Sequence, residues 1–171
     1  MDFFEYRNGE LFCEDVAVAD IAAKAGTPVY IYSAATLLHH YRAIEQAFAE
    51  LKPLICYSIK SLANLSVLRL LAQAGSGFDV VSGGEIARAL AAGGDPSKIV
   101  YAGVGKTDRE IREAIAAGIG TFNVESEAEF ENLARLAAEA KRTVHAALRV
   151  NPDVDPKTHR YTTTGKKETK F

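Results

Sequence analysis

The chain has 171 residues, of which 48% are hydrophobic and 25% charged, with a formal net charge of -2. This composition is typical of a soluble globular domain, and the basic residues are spread among acidic ones, which excludes a nucleic-acid partner. No apolar run approaches the roughly 20 residues that cross a bilayer, and the N-terminus lacks the basic and apolar regions of a signal peptide, so we expect no membrane partner and a cytoplasmic location.

The cysteines and histidines form no metal-binding pattern. Cys13 and Cys56 lie far apart in the sequence, and the four histidines show no ligand spacing. Two cysteines in such a chain are better interpreted as reduced thiols than as a disulfide. The sequence therefore predicts no metal.

The first part of the chain is predicted to begin with a β-hairpin. Asn8 and Gly9 separate two short apolar segments, residues 4–7 and 10–13, as in a two-residue type I′ turn. A short helix is predicted from Val16 to Lys24 and a strand over residues 29–32. These strands need further partners, so we assign residues 1–33 to a second domain, separate from residues 34–171.

A repeat of strands and helices follows. After a helix predicted over residues 34–51, short apolar runs begin near positions 55, 77, 98, 121 and 144, at intervals of 22, 21, 23 and 23 residues. A helical pattern follows each of the first four runs. Ser82, Thr107 and Ser126 each precede a glutamate by three positions, which predicts capping boxes at three helix starts. Glycines at positions 75, 93 and 118 are placed to end three helices.

This repeat predicts an α/β fold with parallel strands and helical crossovers. The alternatives are an open doubly wound sheet and part of a closed barrel. No Gly-x-Gly-x-x-Gly turn follows any strand, which favours the barrel. A complete (β/α)8 barrel usually takes about 250 residues. We therefore expect a partial barrel of about five of the eight units, and the chain to be the N-terminal part of a longer protein.

Three charged side chains lie at the predicted C-terminal ends of strands, where barrel enzymes carry their chemistry. They are Lys60, Asp79 and Arg149, and the alternation of side chains along a strand directs them to the inner face. An amine, a carboxylate and a guanidinium around one space can hold an anionic aldehyde cofactor such as pyridoxal 5'-phosphate. We expect Lys60 to be a partly buried nucleophile. The structural alternative is a salt bridge between Asp79 and Arg149, with Ser82 and Glu85 serving as helix caps.

Five segments carry a resemblance to a known family. Residues 26–32, 57–60, 77–85, 149–154 and 158–171 resemble diaminopimelate decarboxylase in order and spacing. The resemblance implies a pyridoxal-phosphate barrel of the alanine racemase and ornithine decarboxylase type, a β-sandwich domain that includes residues 1–33, and a homodimer. It also implies decarboxylation of an amino acid, meso-2,6-diaminopimelate, to L-lysine.

The resemblance assigns roles to individual residues. Lys60 would form the Schiff base with the cofactor and act in catalysis; Asp79 would lie beside it, and Arg149 near the ring hydroxyl of the cofactor. His159 and Lys170 fall in matching segments, but we assign them no catalytic role. The pair Ser61-Leu62 replaces the family's usual Ala-Asn after the lysine, which affects only local contacts.

Two other functions remain open from the sequence. One is a non-catalytic barrel protein that carries pyridoxal phosphate, and the other is an inactive structural fragment. Ornithine, arginine and carboxynorspermidine decarboxylases share the barrel, but residues 149–153 and 158–165 favour the diaminopimelate branch.

Overall fold

A small antiparallel sheet forms the start of the chain. The computed structural model describes residues 2–154 and 157. Its first sheet has the order β1 (Phe4–Arg7), β2 (Glu10–Cys13) and β3 (Val16–Ala17). Asn8 and Gly9 have φ angles of 51° and 85°, as a type I′ turn requires, which confirms the predicted hairpin. The third strand was not predicted.

Two helices connect this sheet to the repeat. Helix α1 spans Val18–Ala25, two residues later than expected, because Val16 pairs with Cys13 in the small sheet. Helix α2 spans Ala34–Ala47 and is capped by Ser33, whose hydroxyl accepts the Thr36 N–H at 2.9 Å. A short 3-10 helix, Ala49–Leu51, completes the predicted helical stretch.

The strand predicted at residues 29–32 is wrong. None of these residues lies in a strand of the structure, and the Tyr30 side chain is 87% exposed. A strand is stabilised by hydrogen bonds to a neighbour, and the two sheets in the described part of the chain provide none here. The alternating apolar pattern alone was therefore not sufficient.

The main body is a five-stranded parallel sheet with helical crossovers. The strands are β4 (Cys56–Ser58), β5 (Gly77–Val80), β6 (Ile99–Tyr101), β7 (Thr121–Val124) and β8 (Ala146–Leu148), paired in sequence order. Helices α3 (Leu65–Gln73), α4 (Gly83–Ala91), α5 (Asp108–Ala117) and α6 (Glu127–Glu139) connect them. Each strand starts within two residues of its predicted position. Sequential order without reversal is the arrangement of a (β/α)8 barrel, which confirms the partial barrel.

The hydrophobic core lies between the outer face of the sheet and the helices. Fully buried side chains from alternate strand positions fill this layer: Phe78, Val80, Ile99, Tyr101, Phe122 and Val124. Each contributes about 1.5–3 kcal/mol through burial of its apolar surface. The side chains at the other strand positions, including Ser58 on β4, Asp79 on β5 and Asn123 on β7, lie on the opposite, inner face and are only half-buried. The predicted alternation is confirmed for Asp79 within β5, whereas Lys60 and Arg149 lie just beyond the ends of their strands.

The helix ends follow the predicted capping residues. The side chains of Ser82, Thr107 and Ser126 all accept a backbone N–H from the glutamate three positions later. Only Thr107 forms the complete capping box. At the two serine caps the glutamate carboxylate accepts instead the N–H of the residue before the cap. Glycines 75, 93 and 118 end three helices with φ between 73° and 100°.

No helix within the described residues combines the length and the apolar character needed to span a bilayer.

Candidate active site

Ser58 and Asp79 form a hydrogen-bonded pair at the C-terminal ends of the first two parallel strands. Ser58 on β4 lies directly opposite Asp79 on β5, and its hydroxyl donates to Asp79 Oδ2 at 2.9 Å. Cys56 lies one inner-face position below, where burial and, secondarily, the charge of Asp79 raise the pKa of its thiol. The thiol is therefore protonated at neutral pH.

Lys60 lies just beyond the end of β4. The strand stops at Ser58, and Lys60 is the central residue of a 3-10 turn, Ile59–Ser61. The turn is held by the Ser61 hydroxyl, which donates to the Ser58 carbonyl at 2.7 Å, and by Ile59, which is fully buried. The sequence thus placed Lys60 correctly at the mouth of the strand.

The expectation that Lys60 is partly buried is wrong for this structure. Its side chain is exposed, and within the described residues it makes no hydrogen bond or ion pair. Among the described residues, no strand lies across the inner face from the five-stranded sheet, so an amine at the rim of the sheet is in contact with water.

Arg149 immediately follows β8. Its N–H donates to the Val124 carbonyl at 2.9 Å, which continues the β7–β8 pairing by one residue. Its Nη1 lies 3.6 Å from Glu125 Oε2, and the two side chains are 34% and 3% exposed. Asp79 is three strands away, about 14 Å along a sheet with the usual strand spacing. The alternative salt bridge between Asp79 and Arg149 is accordingly not formed, because Glu125 is the carboxylate beside the guanidinium.

A buried lysine supports the ends of β6 and β7. The Lys106 side chain is 1% exposed, and its ammonium bonds the carbonyls of Gly103 and Asn123 at 2.7 and 2.8 Å and Glu129 Oε1 at 2.5 Å. All three protons of the ammonium thus have acceptors. The same Glu129 accepts the N–H of Glu125 with its other oxygen at 2.9 Å. Lys106 therefore fixes the loop between β6 and α5 against the end of β7.

The sequence did not single out Glu125 or Lys106. Lys106 carried one signal, because it follows the glycine-rich segment Gly103-Val104-Gly105 between a strand and a helix cap, where a chain turns closely over a strand end. Glu125 carried none, because a glutamate before a serine cap is common on exposed helix starts. Its burial depends on the neighbouring loop, which sequence patterns do not show.

The start of α4 is occupied by protein groups. Glu110 Oε1 accepts the Gly83 N–H at 2.9 Å, and Glu85 Oε2 accepts the Val81 N–H at 2.7 Å. Ser82 and Glu85 serve as helix caps, as their spacing predicted. The backbone donors that glycines 83 and 84 would offer to a phosphate are thus partly used within the protein.

The side chains at these strand ends have two kinds of reactive group. Lys60 is an exposed primary amine, of the kind that reacts with aldehydes, and Arg149 carries N–H donors, of the kind that bind oxyanions. Asp79, fixed by Ser58, places a carboxylate beside the strand end that carries the amine. The described residues contain no cluster of three or more histidine, cysteine or acidic side chains close enough for a metal ion. The arrangement supports chemistry at an organic aldehyde.

Sequence relatives of this chain are decarboxylases. The chain is 52% identical over 171 residues to the diaminopimelate decarboxylase of Pseudomonas aeruginosa. The aligned region comprises the whole of this chain and 41% of that protein. It is 50% identical to the Vibrio cholerae enzyme of the same name, again over its full length and 41% of the relative. The chain thus spans about two fifths of the length of these relatives.

Solved structures give the same result. The diaminopimelate decarboxylase of M. jannaschii in complex with L-lysine superposes with a TM-score of 0.91 at 38% identity, covering 99% of this chain and 41% of that one. The Helicobacter pylori enzyme complexed with L-lysine gives 0.85 at 41% identity, over 90% and 39%. The family model for the pyridoxal-binding domain of pyridoxal-dependent decarboxylases matches residues 34–171. The chain therefore belongs to the pyridoxal-dependent decarboxylase family.

Proposed function

We propose that this chain forms the lysine-bearing portion of a diaminopimelate decarboxylase, which converts meso-2,6-diaminopimelate to L-lysine and carbon dioxide. The observation that carries the proposal is the accessible Lys60 amine at the end of β4, beside the Ser58–Asp79 pair, in a family whose domain binds pyridoxal. Relatives about 50% identical over the whole chain bear that enzyme's name. The cofactor in this proposal is pyridoxal 5'-phosphate.

Lys60 is assigned as the catalytic amine that would hold the cofactor through its aldehyde carbon, with the aldehyde oxygen leaving as water. When bound, the cofactor supplies an electron-withdrawing ring that accepts the electrons left when a bond to the substrate α-carbon breaks. The position of Lys60 at the C-terminal end of a barrel strand supports this role, since barrel enzymes carry their chemistry at these ends. Bond formation to an aldehyde requires the uncharged amine, and the proton of an exposed lysine can be released to water.

Asp79 and Arg149 are assigned to cofactor binding. Ser58 holds the Asp79 carboxylate in one orientation at the level just below Lys60. A carboxylate there stabilises positive charge as it develops on the lysine nitrogen. Arg149 lies just beyond the end of β8, and its guanidinium carries N–H groups that would donate to the ring hydroxyl oxygen.

The remaining features of the proposal come from the family resemblance. The protein acts as a homodimer in the cytoplasm, and residues 1–33 belong to a β-sandwich domain separate from residues 34–171. The small sheet β1–β2–β3, which does not pair with the barrel strands, is consistent with that division. An amino acid is the substrate class, since two of the solved relatives are complexes with L-lysine.

A chimera tests the proposed activity. The 171 matched residues of the Pseudomonas aeruginosa relative are replaced by this chain, and carbon dioxide release from meso-2,6-diaminopimelate is measured. We expect turnover, and we expect Lys60→Ala to abolish it while Lys24→Ala, on the exposed surface of α1, leaves it unchanged. Ornithine and arginine serve as competing substrates. Carbon dioxide release from ornithine in preference to diaminopimelate would contradict the assignment. A chimera that binds the cofactor without turnover would favour a non-catalytic protein that carries pyridoxal phosphate.

A further inference from the structure

We propose that Glu125 is a positioning residue that holds the Arg149 guanidinium in the orientation needed to contact the cofactor ring. This inference rests on the cofactor-binding role of Arg149 in the proposed function. Its structural basis is a buried carboxylate with one oxygen directed at the arginine. Glu125 Oε2 has no hydrogen-bond donor among the described residues and lies 3.6 Å from Arg149 Nη1.

Glu125 is held in place by neighbouring residues. Its side-chain Oε1 accepts the Gly103 N–H at 2.9 Å, and its backbone N–H donates to Glu129 Oε2 at 2.9 Å. Glu129 is in turn held by the buried ammonium of Lys106. Glu125 is thus restrained at both its backbone and its side chain. A carboxylate restrained in this way can orient a flexible partner.

The charge of Glu125 calls for a partner at this position. Its side chain is only 3% exposed, and an ionised carboxylate with so little water contact is costly unless a positive group lies nearby. The ammonium of Lys106 is already bonded to Glu129 and two carbonyls. Among the described residues, the guanidinium of Arg149 is the cation that pairs with Glu125.

The pairing has a direct consequence for ligand binding. A guanidinium carries five N–H donors in one plane, so engaging one edge fixes the direction of the others. The Arg149 side chain is 34% exposed. An arginine already oriented loses less conformational freedom on binding than one that moves freely, which strengthens binding.

The first test measures Arg149 in the unsubstituted chain without any cofactor. Nitrogen-edited NMR reports the rotation of each guanidinium group. We expect the Nη protons of Arg149 to average slowly, in contrast to those of Arg69, which is exposed on α3. Equally fast averaging at both residues would overturn the inference, and this result does not depend on any variant being folded.

The second test is a double-substitution cycle read by pyridoxal phosphate binding. Glu125→Gln keeps the acceptor for Gly103 but removes the charge, and it should weaken binding roughly 10-fold, within the usual coupling of contacting residues. In an Arg149→Met background the same change should have no further effect. Glu131→Gln, exposed on α6, is the matched control and should bind as the unsubstituted chain does.

The outcomes separate this inference from the proposed function. If the unsubstituted chain forms an adduct at Lys60 but Glu125→Gln binds normally, or weakens binding equally with and without Arg149, the positioning role is wrong and the proposed function stands. If the unsubstituted chain forms no adduct, both are wrong. Thermal unfolding of each variant checks that the comparison is made between folded chains.

Discussion

The Ser58 hydroxyl donates a 2.9 Å hydrogen bond to Asp79 Oδ2 across the first pair of parallel strands. Ser58 thereby orients the carboxylate that lies nearest to the strand end bearing Lys60. Substituting Ser58→Ala should leave Asp79 without this donor and cost about 1 kcal/mol of unfolding free energy, the usual net value of one hydrogen bond. It should also slow adduct formation at Lys60 several-fold, as measured by reductive trapping over time.

The control for Ser58 is another serine that donates to an aspartate. Ser97 bonds Asp95 Oδ1 at 2.7 Å on an exposed 3-10 turn before β6, far from the inner face. Ser97→Ala should leave the trapping rate unchanged. Equal rates for Ser58→Ala and the unsubstituted chain would show that orientation of Asp79 does not affect the amine.

Substitution of the buried Lys106 should reduce the free energy of unfolding strongly. Lys106→Met removes a buried ammonium and leaves Glu129 and two carbonyls without their partner. Losing one member of a buried pair typically costs about 3–5 kcal/mol. Urea unfolding measures this loss, with Arg109→Met as the control, because the Arg109–Glu113 pair is exposed and should contribute less than about 1 kcal/mol. Similar losses for both variants would contradict the buried pair.

The buried hydroxyl of Tyr101 should make the folded chain less stable at high pH, where tyrosine loses its proton. Burial, followed by the charges of nearby glutamates, raises the pKa of the Tyr101 hydroxyl to about 12. The unfolded chain releases this proton near pH 10, before the folded chain does, so the contribution is complete below pH 10 and is lost as pH rises towards 12. The loss amounts to about 2–3 kcal/mol.

The Tyr101→Phe variant isolates this effect. Within the described residues the Tyr101 hydroxyl is buried without a hydrogen bond, so removing it should be neutral or stabilising at pH 7. Between pH 9 and 12 the variant should lose less stability than the unsubstituted chain in urea unfolding. Tyr6→Phe, at a side chain 75% exposed, is the control and should follow the unsubstituted chain. A parallel pH profile for Tyr101→Phe would argue against the raised pKa.

Glu110 should contribute more to stability than its neighbour Glu113 on the same helix. Its carboxylate accepts the N–H groups of Gly83 and Thr107, so it links the starts of α4 and α5. Glu110→Ala should cost about 1–2 kcal/mol at pH 7, as for other lost helix caps, and Glu113→Ala much less. These hydrogen bonds, led by that of Gly83, lower the pKa of Glu110.

The pH dependence of Glu110 follows from the direction of that shift. A lowered pKa gives stability that is present above the ordinary glutamate value and is lost as pH falls through the folded-state pKa. The difference between the Glu110→Ala and Glu113→Ala variants should therefore narrow from pH 7 to pH 3 in urea unfolding. If the difference in unfolding free energy between the two variants stays constant with pH, the charge of the Glu110 carboxylate does not contribute to joining the starts of α4 and α5.

Much of the fold followed from local sequence signals. Strand and helix periodicity located the five βα units, and the cap serines and threonine marked three helix starts, because these signals depend on residues close together in the chain. The inner-face direction of Asp79 followed from alternation along a short strand. The strand at residues 29–32 failed because strand formation needs a partner, which a local pattern cannot reveal.

The site was predictable only in part for the same reason. Lys60 and Arg149 follow strand ends, and parallel strands bring these ends to one edge. The pairing of Arg149 with Glu125 and the burial of Lys106 arise from a loop closing over β6 and β7, which joins residues distant in sequence. The exposure of Lys60 depends on how many strands surround the inner face, which is a property of the whole sheet.

The most direct test of the catalytic assignment is to map where the cofactor attaches. The chain is incubated with pyridoxal 5'-phosphate, reduced with borohydride, digested and analysed by mass spectrometry. We predict a modified peptide containing Lys60 that disappears in the Lys60→Ala variant. Modification at exposed lysines such as Lys24 or Lys52 without enrichment at Lys60, or no modification at all, would contradict the assignment of Lys60 as the catalytic amine.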